Sequence, residues 1–348
     1  MIKKTLLFIF HAHVPYIRHA DENESIEAAQ LYETLSYGFL PFLRMCDRLK
    51  ADAVPFKCAL VISPLLCEML KSSFCKERYD AYLNRHIAFA QQELKRASGT
   101  AQESLVRHYL EFLTLNREDF NIRYKKDILS GINFFATKGC VELLATSATP
   151  CFFPLYQDMP EALAAQIEQG LSSFREDFAA APAGFWLPSM GYNTGLDRII
   201  KSYGIDYTVL ESQSFLFADR SPTNGVFSAA MGESGLLFLG KDSTACADIA
   251  HPETGFYLNS NYLDTDRDIG FELDEQALSS LFDVKNRDKK WIIDFSKLLL
   301  TTKHIFDNYI VRNSNMDSSS RNKDEWFLQK GTYYEYQPNG KSKEHYIV

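Results

Sequence analysis

Long apolar runs are missing from this chain. No stretch of its 348 residues approaches the ~20 consecutive apolar positions that a membrane-crossing helix requires. Met1-Ile2-Lys3-Lys4 and the apolar Thr5–Phe10 have the outline of a secretory leader. The run is too short, however, and breaks at His11 with no small-residue cleavage site behind it. A basic excess is missing too. Net charge is −8, and the one dense basic cluster, Lys285 to Lys290, is interrupted by Asp288. Neither nucleic acid nor an anionic membrane surface is therefore expected as a partner. Paired cysteines are also lacking: there are seven, an odd number, with no CxxC spacing. That speaks against a zinc site or a disulfide framework and for a reducing, cytoplasmic compartment. No internal repeat is found, and no metal or cofactor is expected.

What the chain does have is material for a core. Hydrophobic residues make up 46% and aromatics 14%, enough for one large α/β domain with an appendage or for two ordinary domains. Thr5–Phe10 is a continuous apolar run of strand length. It leads into His11-Ala12-His13-Val14-Pro15-Tyr16. Residues two apart in an extended chain share a face, so His11 and His13 point together from the strand's C-terminal end. They are either rim histidines with ordinary hydrogen bonds or a polar pair for a ligand; metal ligation lacks a third donor at an obvious spacing.

After an acidic loop, Asp21 to Glu24, the pattern predicts a helix over Ile26–Leu49 with a kink or break at Pro41. Phe56–Ile62 is the second strand, and nearly everything from Pro64 to Lys138 reads as helix. Cys140–Ala145 is the third strand and carries Glu142 near its middle. That carboxylate is either a structural partner of a neighbouring strand or part of a site, since carboxylates are rarely buried alone. Asp158 to Glu161 has the form of a capping box opening a helix whose apolar stripe is Leu163, Ile167, Leu171, Phe174 and Phe178.

That helix feeds Gly184-Phe185-Trp186-Leu187-Pro188, a short apolar strand stopped by proline, with Ser189 delivered just past its end. A further helix ends at Gly204, a strand follows at Asp206–Leu210, and Gly225–Ala230 with Gly235–Leu239 form a strand pair. Alternating strands and helices favour a parallel sheet or closed barrel, with chemistry at the C-terminal strand ends. Patterning fades after Leu273; Arg312 to Glu325 reads as a flexible loop, and Tyr333–Tyr336 has strand character.

In order, His11 to Tyr16, Val141-Glu142-Leu143-Leu144 and Gly184 to Pro188 followed by Gly191-Tyr192 resemble the signature of glycoside hydrolase family 57. The nearest resemblance is to its α-1,4-glucan branching enzymes and related hydrolases and transferases. Further matches lie at Gly195–Asp206, Gly235–Asp242 and Arg267–Leu273, with a fainter echo at Tyr333–Tyr346. The resemblance implies an α/β fold, an incomplete (β/α)7 barrel of the glycoside hydrolase/deacetylase type with a large helical insertion at about 64–138. It implies a barrel domain over 1–273 and a diverged extension over 274–348 containing the flexible loop 312–325.

Members are retaining enzymes in which a glutamate attacks the anomeric carbon and an aspartate serves as acid and base. The glutamate follows Trp-Leu-Pro directly, and Ser189 stands there instead. Thr149-Pro150 replaces a sugar-contacting Thr-His pair, Lys241-Asp242 replaces an Arg-Asp pair, and the aspartate segment does not occur before Val348. The expectation is a glucan-processing protein, catalytically impaired, binding α-glucan or maltooligosaccharide through His11, His13, Glu142, Trp186 and Tyr192. Trp186 is either a stacking wall or core. The alternatives are a non-catalytic glucan-binding or regulatory protein, one half of a split enzyme whose missing segment another polypeptide supplies, or a decayed gene product. A metal-dependent deacetylase is disfavoured, because His86, His108, His251, His304 and His345 form no HxxxH pair.

Overall fold

The computed structural model describes residues 7–17 and 26–251, Gln276, and the strands Tyr334–Tyr336 and Lys343–His345. The acidic loop at Asp21–Glu24, the motif at Arg267–Leu273 and the loop 312–325 lie outside the described residues. Two compact units divide the chain. One contains Ile9–Tyr79 and Asp119–His251, and the other contains Asp80–Glu118 and the two late strands.

The first unit carries a sheet built from β1 (Ile9–Ala12), β2 (Cys58–Ile62), β3 (Val141–Thr146), β4 (Gly184–Trp186), β5 (Tyr207–Leu210), β6 (Ala230–Met231) and β7 (Leu237–Gly240). The order across it is β1-β2-β3-β4-β5-β7-β6. All pairings are parallel except the hairpin of β6 with β7. The late aromatic patch pairs as β8 (Tyr334–Tyr336) with β9 (Lys343–His345), antiparallel.

Between the strands run α1 (Ile26–Glu33), α2 (Leu40–Ala51), α3 (Pro64–Lys71), α4 (Ser73–Arg96), α5 (Glu103–Glu118), α6 (Ile128–Thr137), α7 (Pro160–Phe178), α8 (Leu196–Ser202), α9 (Ser212–Leu216) and α10 (Ser243–Ala250). This mostly parallel sheet with crossover helices is the barrel-like α/β architecture that the strand–helix alternation predicts, and the stretch from Pro64 onward is helical as expected.

The register separates two faces. Ile9 pairs with Ala59, His11 with Val61, Ala59 with Glu142 and Val61 with Leu144. Thr146 pairs with Trp186 and Gly184 with Tyr207. Side chains alternate along a strand, so these residues all lie on one side. Ala59, Val61 and Leu144 are fully buried there, with Ile9, Trp186 and Tyr207 packed on them. The opposite face holds Leu60, Leu143, Phe185, Thr208 and Phe238, all buried on the helix-bearing side. β2 is buried at every position, which is why its sequence is apolar without alternation.

Three local expectations are corrected. The strand expected over Gly225–Ala230 is mostly a turn: Gly225–Phe227 forms a 3-10 helix, and only Ala230–Met231 pairs with β7. Pro41 does not end its helix; it stands in the first turn of α2. The turn ahead of it, Thr34–Phe39, widens to a π-helix in which the Leu40 N–H reaches back to the Leu35 carbonyl. A widened turn absorbs the missing donor and the bulk of the proline ring, so α1 continues into α2 without interruption. Asp158 does not cap α7 either. The N-cap is Met159, with no side-chain hydrogen bond, and Pro160 supplies the preset φ of the first turn. At its other end α7 closes on Ala179 in the left-handed conformation.

In the other unit, Leu83, Ile87 and Ala90 of α4 and Val106, Tyr109 and Leu113 of α5 recur at helical spacing and are buried. Glu103 accepts from the Gly99 N–H and pairs with Arg107.

α7 approaches β3 through Gly170. A Cβ there would overlap the Thr146 backbone oxygen and stand 3.0 Å from Ser147 backbone atoms. Alanine gains about 1 kcal/mol of helix propensity over glycine, whereas overpacking against backbone costs about 1–3 kcal/mol. The second effect wins because the obstacle is main chain and cannot rotate away. Gly170→Ala is expected to lower the unfolding temperature in a thermal melt; an unchanged or higher value would show that α7 can shift off β3.

Candidate active site

The C-terminal ends of the parallel strands form one rim. His13 follows β1, Ser63 follows β2, Ser147 follows β3, Ser189 follows β4, Glu211 follows β5 and Lys241 follows β7. The sequence rules for such sheets place ligands at this edge.

His11 and Trp186 meet there. Their rings stack at 5.2 Å between centroids and 18° between planes. His13 lies 6.4 Å from His11 with its ring nearly parallel. The strand alternation that sets the two histidines on one side is thus seen in the structure. Trp186 is half-buried: it packs on Ala59, Val61 and Leu144 and engages His11 as well. Its position is held by Thr146, whose hydroxyl donates to the Trp186 carbonyl at 2.9 Å.

His13 is tied to a neighbour that sequence reasoning did not single out. Its Nδ1 lies 2.9 Å from the Ser63 hydroxyl, and Ser63 also caps α3 by accepting from the Leu66 N–H. The signal was present as Ser63-Pro64 directly after an apolar run, a cap residue followed by an N1 proline.

Packing of the ring against its neighbours, and then His13, hold the His11 imidazole down at about 4, although the residue is exposed at the rim. Burial lowers His13 below its ordinary value as well. Both rings are neutral at pH 7, so this part of the rim offers imidazole, indole and hydroxyl groups without net charge. Such a surface suits an uncharged polar ligand better than an anion.

Ser189 sits in a short 3-10 turn, Pro188–Met190, and is exposed. Its backbone is left-handed, φ 53° and ψ 19°, and Met190 follows at φ 50°. Two successive non-glycine residues in that region store strain, a pattern found at functional turns. The Met190 N–H to Leu187 and Gly191 N–H to Pro188 hydrogen bonds hold the turn. Among the described residues Ser189 makes no side-chain hydrogen bond.

The other two expected contacts lie elsewhere. Glu142 is the second residue of β3, exposed, at the opposite end of the sheet from Trp186. It accepts a 2.7 Å hydrogen bond from Tyr207 of β5, which lies over Gly184 of the intervening strand. A Cβ on Gly184 would come within 2.7 Å of the Tyr207 hydroxyl. The carboxylate is thus partnered by a residue two strands away. Tyr192 packs edge-to-face on Phe238 at 5.3 Å and donates to Asp197 at 3.3 Å. Burial, then the Asp197 carboxylate, push its hydroxyl up to about 12. Phe238 belongs to the helix-bearing side, so Tyr192 is not brought together with His11 and Trp186.

Past β5 and β7 a further polar group appears, in which sequence reasoning singled out Lys241 and Asp242 but not Glu211, Ser212 or Ser243. Lys241 Nζ pairs with Glu211 at 2.7 Å, and Ser243 donates to the same carboxylate at 3.2 Å and bonds Ser212. Asp242 turns away to cap α10 through the Thr244 and Ala245 N–H groups. Thr149, in the exit loop of β3, bonds Gln166 through its backbone and hydroxyl.

Residues 7–278 match the profile of Glycosyl hydrolase family 57. The chain belongs to that family. Among its relatives, the 1,4-alpha-glucan branching enzyme TK1436 of Thermococcus kodakarensis is 26% identical over 241 residues, covering 65% of this chain and 34% of the enzyme. The crystal structure of the alpha-amylase AmyC from Thermotoga maritima superposes with a TM-score of 0.78 at 27% identity, over 92% of this chain and 59% of AmyC. The family 57 branching enzyme of Pyrococcus horikoshii shares the fold, with a TM-score of 0.68 at 21% identity, over 77% of this chain and 52% of that enzyme. This family 57 chain thus spans about a third of the curated relative and little more than half of these two solved structures.

The His11 shift predicts a pH dependence with a definite sign. The folded state disfavours the imidazolium, whereas the unfolded chain takes up the proton near 6.5. The contribution to stability is therefore fully present above pH 6.5 and is lost as pH falls toward about 4. Trp186→Ala opens the His11 ring to water, and its pKa is expected to rise toward 6.5 in an NMR titration. A His11 pKa that stays near 4 in the variant would assign the shift to other neighbours.

Proposed function

We propose that this family 57 chain binds α-glucan at the rim around His11, His13 and Trp186 and does not itself carry out retaining glycosyl transfer. One observation carries the reading. Ser189 occupies the position after Trp186-Leu187-Pro188 where the family resemblance calls for the attacking glutamate, and it does so in a strained turn at the rim. A carboxylate there is anionic at neutral pH and attacks without further activation. A serine hydroxyl is neutral, shorter, and needs a base within hydrogen-bond reach. None bonds it among the described residues. The neutral imidazoles suit sugar hydroxyls and the indole ring suits an apolar sugar face, which supports binding. Glu142 and Tyr192, held by Tyr207 and Asp197, drop out of the binding group.

The same proposal takes residues 1–273 as the barrel domain and 274–348 as an extension, in a cytoplasmic protein.

The purified chain is expected to show no hydrolysis or branching of amylose or maltoheptaose above a buffer control. Turnover that disappears in Ser189→Ala would overturn the non-catalytic reading. Calorimetric titration with maltoheptaose is expected to show binding that Trp186→Ala weakens roughly 2- to 10-fold, the scale of one aromatic contact. No detectable heat with the wild-type chain would remove the glucan assignment.

A further inference from the structure

Ser63 is buried, 6% exposed, and its hydroxyl has one proton and two lone pairs to place. One lone pair accepts from the Leu66 N–H at 3.3 Å, closing the N-terminus of α3. The Ser63 N–H is bonded to the Ala12 carbonyl at 3.1 Å, which pins the start of α3 to the end of β1 just before His13. The remaining neighbour of Ser63 Oγ among the described residues is His13 Nδ1 at 2.9 Å. Two arrangements satisfy that distance. If Nδ1 carried the proton, the Ser63 O–H would be a buried donor without an acceptor among the described residues, which folded proteins avoid. If Ser63 donates to Nδ1, both of its bonds are satisfied at once. The imidazole is neutral at pH 7 because burial lowers its pKa, so it carries a single proton, and that proton goes to Nε2. Nε2 has no partner among the described residues.

We propose that Ser63 is a positioning residue that fixes His13 as its Nε2–H tautomer, so that the rim meets its ligand with a hydrogen-bond donor. The ligand atom recognised by His13 is then a neutral acceptor, a hydroxyl, ring or bridging oxygen of a sugar. This rests on the glucan reading for the identity of the ligand, but the tautomer does not. A neutral imidazole can offer either a donor or an acceptor to a sugar. The hydroxyl behind the ring, rather than the ring itself, makes the choice.

Long-range proton–nitrogen NMR of the labelled chain at pH 8 reads the tautomer directly, without ligand. Nε2 is expected to be protonated and Nδ1 bare; the reverse overturns the proposal. Ser63→Asp keeps a good helix cap but places an acceptor-only carboxylate against Nδ1, so the proton is expected to move there. Maltoheptaose affinity should then fall roughly tenfold, the scale of one hydrogen bond whose polarity is wrong. Ser63→Thr retains the hydroxyl and is expected to keep both the tautomer and the affinity. A reversed tautomer in Ser63→Asp with unchanged affinity would overturn the recognition role. Failure of the wild-type chain to bind maltoheptaose sinks the glucan reading alone, and the wild-type tautomer still decides the role of Ser63. Loss of α3 in Ser63→Asp would show as a changed far-UV spectrum; in that case the wild-type and Ser63→Thr spectra carry the decision.

Discussion

The stacking of His11 on Trp186 joins side chains that stand three strands apart. At roughly 4.8 Å per strand, a flat sheet would separate β1 from β4 by about 14 Å, yet the two rings lie 5.2 Å apart. The sheet must curl for them to meet, and the side chains beneath allow it. Ala59, Val61 and Leu144 fill the concave face between the two rings without holding them apart. At the other end the absence of a side chain on Gly184 lets Tyr207 reach across β4 to Glu142. Curvature, the buried cluster and the rim are one feature. Flatten the sheet and the contact between His11 and Trp186 is lost.

Within that frame, the turn after β4 keeps its geometry while its chemistry differs from what the family resemblance calls for. Pro188 ends the strand, and Ser189 and Met190 adopt left-handed backbone. Such strain persists where surrounding structure over-determines it, here by the buried Leu187 and Pro188 on one side and Gly191 under Phe152 and Pro154 on the other. The backbone device is set by packing and survives the exchange of one side chain. Reactivity is set by that side chain alone. Family membership therefore speaks for the barrel, while the nature of the site has to be argued residue by residue.

Much of the architecture was legible because it follows from local periodicity. β2 and β3, the stripe of α7 and the stop of α8 at Gly204 carry such patterns, whereas the strand expected over Gly225–Ala230 forms only at Ala230–Met231, after a 3-10 turn. The break expected at Pro41 did not occur because the rule for proline concerns a regular α-helix, and a π-turn supplied by the preceding residues changes the spacing. Asp158 was misread because Pro160 starts α7 one residue later than a capping box requires. His11 and His13 were legible as a pair from their spacing. Tyr192 was not, because a rim position says where a residue stands in the chain and not toward which layer its ring turns.

By itself the sequence determined the strand–helix alternation, the two histidines on one strand face, the rim position of Ser189 and the absence of a carboxylate there. These depend on residue identity and on neighbours a few positions away. Only the tertiary structure decided that Trp186 reaches His11, that Glu142 is taken by Tyr207, and that Ser63 backs His13. Each of those contacts joins residues 40 or more positions apart in sequence. Side-chain pairing across a curled sheet depends on how far the sheet bends, which no local pattern encodes.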